Sequence, residues 1–305
     1  MSTTPFDADD FLQNNWQQRA RFLPGFIELS DTISPEELAG LALEDHIESR
    51  FVEFDGVDKW TQTEGPFSET FFQTLPDHNW TLLVQAVDLW LPAIRDVYAQ
   101  FSFLPQWRFD DIMVSYATAN GGVGPHFDFY DVFLIQASGH RRWQVGTTCD
   151  ETTPLVTDGG MRTLAEFNVV ESYETNPGDV LYIPPGIAHW GESLDSSVTY
   201  SVGFRSPTSQ EVLYDLAIEL ESRGSTEHFR DLVAQQATDP NEIRAADIAA
   251  VQTLLRRVVD DESFIGDWLA RYMTRPKYEE LIELSNENRR ASLSGHIYVN
   301  GELDD

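Results

Sequence analysis

The chain holds a single cysteine, Cys149, in 305 residues, so it cannot close an internal disulfide, and a cystine framework is excluded. A reducing compartment follows as the expectation. Cys149 reads as a small apolar or loop residue rather than as a catalytic thiol. Lysine is almost as scarce: Lys59 and Lys277 stand alone, and 51 acidic residues face 20 basic ones for a formal net charge of −31. Such a field repels phosphate backbones and attracts basic proteins, which disfavours direct nucleic-acid binding and favours a basic protein partner. Acid-rich, lysine-poor composition is also what a protein adapted to a salty cytoplasm would carry. No apolar run reaches the length of roughly 20 residues that a membrane span needs. The first ten residues lack both the basic flank and the apolar core of a secretion signal. The expectation is a cytoplasmic protein with no membrane partner, long enough for more than one domain.

Against these absences stands one dense motif, Gly121-Gly122-Val123-Gly124-Pro125-His126-Phe127-Asp128, followed later by Pro184-Pro185-Gly186-Ile187-Ala188-His189. On an extended strand residues i and i+2 project to one side, so His126 and Asp128 can share a metal while Phe127 packs behind them. A distant second imidazole, His189, completes a two-histidine, one-carboxylate facial triad, the donor set of non-haem iron(II) oxygenases. The plainer alternative is that His126 and Asp128 belong to a hydrogen-bonded turn and His189 to the surface. Gly178-Asp179 reads as a turn, Val180 to Ile183 as a strand, and Pro184-Pro185-Gly186 as a rigid loop, which places His189 in a loop just after a strand. Thirteen residues beyond Asp128 lies Arg141, after the apolar run Phe133 to Ala137. An oxygenase that uses 2-oxoglutarate needs a fixed cation for the distal carboxylate, and arginine offers a bidentate, permanently charged one. Arg141 and Arg142 must face opposite ways on a strand, so only one can point inward. His46, His78, His228 and His296 have no aspartate two residues on and read as surface or internally satisfied groups, and His140 as outward-facing.

Four motifs together resemble the JmjC-type ribosomal oxygenases of the cupin-4 group, in particular the bacterial enzymes that hydroxylate an arginine of a large-subunit ribosomal protein. They are Asp110-Asp111-Ile112-Met113, the glycine-rich stretch extended through Phe129-Tyr130-Asp131-Val132-Phe133, Gly139-His140-Arg141-Arg142-Trp143, and Pro184 to Gly191. Weaker similarity runs over Gly65 to Tyr98. The resemblance implies that His126, Asp128 and His189 are the catalytic metal ligands for Fe(II), and that Arg141, helped by Ser115, binds the cosubstrate 2-oxoglutarate, with dioxygen as the second cosubstrate. It places the substrate arginine against Asp111, Met113, Tyr130 and Ser201: a carboxylate for the guanidinium, an aromatic face for cation–π contact, and two wall residues. One departure is Ala117, where some relatives carry a second hydroxyl residue. The implied partner is a basic ribosomal protein. A histidyl hydroxylase of a ribosomal protein and a non-catalytic, metal-binding dimeric cupin scaffold are the competing readings; the complete triad with Arg141 argues against the scaffold, and the bacterial resemblance against histone demethylation.

The expected fold is mixed α+β: a double-stranded β-helix, the jelly roll of cupin and JmjC proteins, over residues 1–206. A helical dimerisation region over 207–261 and a short C-terminal segment over 262–305, a shortened winged helix by resemblance, complete it. Within the first part, Ser34-Pro35-Glu36-Glu37 reads as a capping box opening a helix. Apolar residues spaced from Leu82 to Val97 predict a second helix over Trp80 to Gln100. After the cap Ser206-Pro207-Thr208, helices are predicted over Glu211 to Ser222, Thr226 to Gln236, Asn241 to Val259 and Phe264 to Met273, then a strand and turn over Ile297 to Glu302. The resemblance implies a homodimer through these helices. No internal repeat or low-complexity tract is present.

Overall fold

A computed structural model of the chain describes residues 6–29, 32–224, 228–231, 239, 241–285 and 288–304. The chain divides into two compact units, residues 1–206 with 280–286, and residues 207–279 with 287–305. In the first, α1 (Ala8–Asn14), β1 (Arg21–Leu23), α2 (Pro35–Leu41), β2 (Ser49–Phe54), β3 (Trp60–Glu64), α3 (Glu69–Phe72), β4 (Trp80–Val84) and α4 (Pro92–Asp96) lead into the barrel proper. That barrel comprises β5 (Phe109–Ala117), β6 (Asp131–Ser138), β7 (Arg141–Thr148), β8 (Leu155–Asp158), β9 (Met161–Leu164), β10 (Glu171–Thr175), β11 (Val180–Ile183), β12 (Ile187–Ser193) and β13 (Ser197–Phe204). An eight-stranded sheet in the order β1-β11-β6-β13-β5-β4-β2-β3 faces a three-stranded sheet β10-β7-β12, and β8 pairs with β9 as a separate ribbon. Every strand pair in these sheets is antiparallel. Val132, Leu134, Leu181 and Ile183 of the larger sheet meet Trp143 and Val145 of the smaller one across the interior. This is the double-stranded β-helix of JmjC and cupin proteins.

Strand alternation gives the large sheet two chemically different faces. Ile112, Val114, Phe133, Ile135, Val198, Tyr200, Val202 and Phe204 turn outward and are buried under the amino-terminal layer with Phe11 and Leu38. Their neighbours in sequence, Asp111, Met113, Ser115, Gln136, Thr199 and Ser201, therefore face the barrel interior. In α2, Ser34 and Glu37 exchange the two bonds of a capping box, with Pro35 in the first turn.

The helix predicted over Trp80 to Gln100 is not there. Trp80–Val84 is a strand paired with β2 and β5, Ala86 turns the chain with φ 51°, and only Pro92–Asp96 is α-helical, flanked by 3₁₀ turns. The apolar residues at helical spacing are buried all the same, Leu82, Val87 and Ile94 among them. A short apolar run buried on both faces carries no periodicity that separates strand from helix. Helix α1 opens on Asp7, whose side chain accepts from the Asp10 N–H.

The second unit contains α5 (Ser209–Ser222), α6 (Ala245–Val259) and α7 (Glu262–Thr274), then an antiparallel sheet of β14 (Arg290–Leu293), β15 (His296–Val299) and β16 (Glu302–Asp304). Thr208 and Glu211 form a capping box at the start of α5. Asp215 ties α5 to α7 by accepting from Trp268 Nε1 at 2.8 Å and pairing with Arg275. The helix expected over Thr226 to Gln236 lies largely outside the described residues, and 228–231 are not helical.

Candidate active site

The glycine-rich stretch lies along β12. His126 N–H donates to His189 O at 3.0 Å and His189 N–H returns the bond to His126 O at 2.8 Å. Close approach needs glycine here: a Cβ on Gly122 would sit 2.3 Å from Gly191 O, and Gly124 adopts φ +76° with Trp60 at 3.0 Å from any Cβ. Asp128 is fixed from the other side by Gly186 N–H, which donates to its carbonyl at 2.7 Å. His126 thus lies in a single bridge rather than a regular strand, and His189 is on strand β12, not in the loop expected for it. The Pro-Pro-Gly turn is tighter than foreseen, so pairing resumes at Ile187.

One ligand atom from each of His126, Asp128 and His189 falls within 4.8 Å of the others, and no other such cluster occurs among the described residues. Asp128 Oδ2 lies 3.9 Å from His126 Nε2 and 3.6 Å from His189 Nε2. Both Nδ1 atoms bond backbone carbonyls at 3.0 Å, His126 to Gly124 O and His189 to Ile187 O. With Nδ1 as the N–H donor, each Nε2 presents its lone pair to the shared point, the usual device for orienting a metal-bound histidine. Burial, then repulsion from His126, pushes the His189 pKa down to about 4, against a smaller raising effect of Asp128. Two imidazoles and one carboxylate, gathered on one side, fit a divalent metal with open positions.

Deeper in the barrel, Arg141 is 5% exposed, and its Nε and Nη2 have no hydrogen-bond partner. Burial pulls its pKa down to about 10, which leaves it charged at neutral pH. Its guanidinium lies 5.5 Å from the Trp143 ring centroid. A buried cation is costly unless paired, so the barrel interior is built to receive an anion. Arg142 points away, to Glu174 and Glu192, which resolves the Arg141/Arg142 alternative. Ser115 is buried and donates to Thr199 O at 3.5 Å.

At the mouth, Asp111 and Met113 stand on the interior face of β5, and Ser201 pairs opposite Met113 from β13. Tyr130 is 44% exposed, yet its hydroxyl is driven well above its usual pKa, first by burial and then by Asp128, Asp111 and Asp110. One residue further, the fully buried Asp131 accepts from Tyr182 Oη at 2.6 Å, Arg108 Nη2 at 2.9 Å and Gln17 Nε2 at 3.1 Å. That network anchors the segment bearing Tyr130. His140 is outward and bonds Asp195. Two residues at the mouth escaped the sequence reading: Gln85 Nε2 donates to Asp111 Oδ2 at 2.7 Å, and Arg50 Nη2 lies 3.5 Å from Gln85 Oε1 and 3.7 Å from Met113 Sδ. Only the register of β2 and β4 against β5 brings them there.

The ribosomal protein uL16 3-hydroxylase of Escherichia coli K12 is 36% identical over 281 residues, covering 88% of this chain and 72% of that protein. A JmjC domain model matches residues 96–212. The chain belongs to the JmjC ribosomal oxygenases. A probable ribosomal oxygenase from Haemophilus influenzae is 39% identical over 205 residues, 67% of this chain and 50% of that one. Solved structures of E. coli YcfD match with TM-scores of 0.87 and 0.85 at 30% and 31% identity, across 99% of this chain and 87% and 86% of those chains. The second is of YcfD as a ribosomal oxygenase in complex with cobalt and 2-oxoglutarate. The three-donor cluster of His126, Asp128 and His189 and the partnerless guanidinium nitrogens of Arg141 are both carried by this barrel. No helix among the described residues is long and apolar enough to cross a membrane.

Proposed function

We propose that this oxygenase hydroxylates an arginine side chain of a large-subunit ribosomal protein, uL16 by analogy with the E. coli relative, using Fe(II), 2-oxoglutarate and dioxygen in the cytoplasm. The observation that carries the reading is the gathering of three features on one barrel: an unpaired buried cation, a three-donor metal cluster and a carboxylate-rich mouth. His126, Asp128 and His189 would hold the iron on one side and leave the other open. Arg141 and Ser115 would take the distal carboxylate of 2-oxoglutarate. Iron(II) bound there would supply the redox chemistry by which 2-oxoglutarate, dioxygen and a C–H bond become succinate, carbon dioxide and an alcohol.

The remaining work falls to the chain. Asp111, braced by Gln85, presents a carboxylate to the incoming guanidinium, and Tyr130 stays protonated and offers its ring face. Met113 and Ser201 wall the slot, so that one carbon of the side chain is aimed at the metal. The acidic mouth and the −31 charge favour a cationic side chain from a basic protein. Succinate release should be stimulated by a uL16 peptide bearing the target arginine and not by the same peptide with alanine there. Asp111→Ala should lower that stimulation by about a hundredfold while leaving 2-oxoglutarate affinity intact, since truncating one partner of a buried charge pair costs several kcal/mol. Unchanged stimulation in this variant would refute the assignment.

The second unit would serve as a homodimer interface. Ile248, Val251, Leu255 and Val259 form an apolar stripe on α6, and Leu213, Tyr214 and Ile218 one on α5, all substantially exposed. Aligned exposed apolar side chains mark an interaction surface. Leu255→Asp should halve the mass seen by light scattering; an unaltered dimer, or a monomeric wild type, would remove this part of the proposal.

A further inference from the structure

Six buried side-chain atoms among the described residues have no hydrogen-bond partner. Ser49 Oγ lies on the outward face of β2 and Asn15 Oδ1 in the amino-terminal layer. The other four are Arg141 Nε and Nη2, Thr199 Oγ1 and Thr81 Oγ1, and strand parity turns all of them into the barrel. Thr199 alternates with the outward Val198 and Tyr200, and pairs with Ser115 on one side and Gln136 on the other. Thr81 alternates with the outward Leu82, and pairs with Ala117. Both threonines are 1% exposed.

Two contacts between the sheets bring these hydroxyls to the level of Arg141. Thr175 Oγ1 donates at 3.0 Å to Gln136 Oε1, in the row of Thr199, and lies 3.0 Å from Arg141 O. Ser193, opposite Arg141 on β12, hydrogen-bonds Ser197, which stands in the row of Ala117 and Thr81. A methyl side chain at Ala117 leaves the Thr81 hydroxyl clear of its neighbour. A carboxylate has about four lone-pair sites, so a guanidinium on one side leaves it able to accept hydroxyl donors on the other. Unpaired hydroxyls in a closed interior are unfavourable until such an acceptor arrives.

We propose that Thr199 and Thr81 are cosubstrate-binding residues, donating hydrogen bonds to the distal carboxylate of 2-oxoglutarate from the side opposite Arg141. The inference rests on the 2-oxoglutarate reading above and adds two residues that neither the motifs nor the resemblance named. The test is calorimetric titration of 2-oxoglutarate into the cobalt(II)-loaded full chain without dioxygen, so that binding is read apart from turnover. Thr199→Val should weaken binding by about tenfold and Thr81→Val by about threefold, the range for losing one ordinary hydrogen bond. Thr199→Ser and Thr81→Ser should bind like the parent. Thermal melting checks folding, and Thr199→Ala and Thr81→Ala replace any valine variant that does not fold. Folded valine or alanine variants with parental affinity would overturn the proposal, and so would serine variants as weak as valine, which would make the effect one of packing. Arg141→Met separates the two levels: if it binds 2-oxoglutarate like the parent, the cosubstrate reading itself fails.

Discussion

The two faces of the large sheet come from the same strands and do opposite things. On β5, Ile112 and Val114 are fully buried in the outer core, while Asp111, Met113 and Ser115 between them carry a carboxylate, a thioether and a hydroxyl into the barrel. On β13, Val198, Tyr200 and Val202 alternate in the same way with Thr199 and Ser201. The outer face gains stability from apolar burial. The inner face gives some of it up, holding guanidinium nitrogens of Arg141 and hydroxyls of Thr199 and Thr81 without hydrogen-bond partners. A period of two lets one strand such as β5 bury apolar side chains on one face and present polar ones on the other.

The largest blow to that contrast would come from the outer face. Phe133, fully buried among Phe11, Phe101, Tyr182 and Phe204, should cost about 3–5 kcal/mol when cut to alanine. Chemical denaturation reads that loss, and a loss below 1 kcal/mol would mean the outer core is not where stability resides. A smaller effect comes from His189 on the inner side. Its pKa is held down at about 4, mainly by burial, whereas an unfolded histidine titrates near 6.5. Between these values the unfolded chain binds a proton that the folded chain refuses, so stability is complete above that window and falls as pH drops through it. Metal-free protein should lose about 2 kcal/mol from this group between pH 7 and pH 5, and His189→Gln should flatten that part of the profile. Smallest and opposite in sign is Arg141→Met: removing a buried, unpaired charge should raise the stability of the ligand-free protein by about 1 kcal/mol. A destabilised Arg141→Met would show that the guanidinium is held for packing rather than for a ligand.

What could be read from sequence followed the strength of local rules. His-x-Asp spacing, the turn at Gly178-Asp179 and the strand from Val180 to Ile183 are local patterns, and the structure brings His126, Asp128 and His189 together. Ser34 and Glu37, or Thr208 and Glu211, state a helix start in four residues. Trp80–Val84 failed because burial on both faces erases period, and His189 was misplaced because the turn at Gly186 hands the chain straight to β12. Arg50, Gln85, Thr81 and Thr199 were beyond reach for a different reason. Their roles depend on which residues lie opposite on neighbouring strands, and register is a property of the sheet, not of any segment.

Mass spectrometry of unmodified uL16, incubated with this protein, iron(II), 2-oxoglutarate and air beside a His126→Ala control, tests the central claim most directly. One added oxygen on a single arginine, absent from the control, is the predicted result. An added oxygen on another residue type, or none while succinate still forms, would contradict the arginine assignment, and no succinate at all would contradict the oxygenase reading of this site.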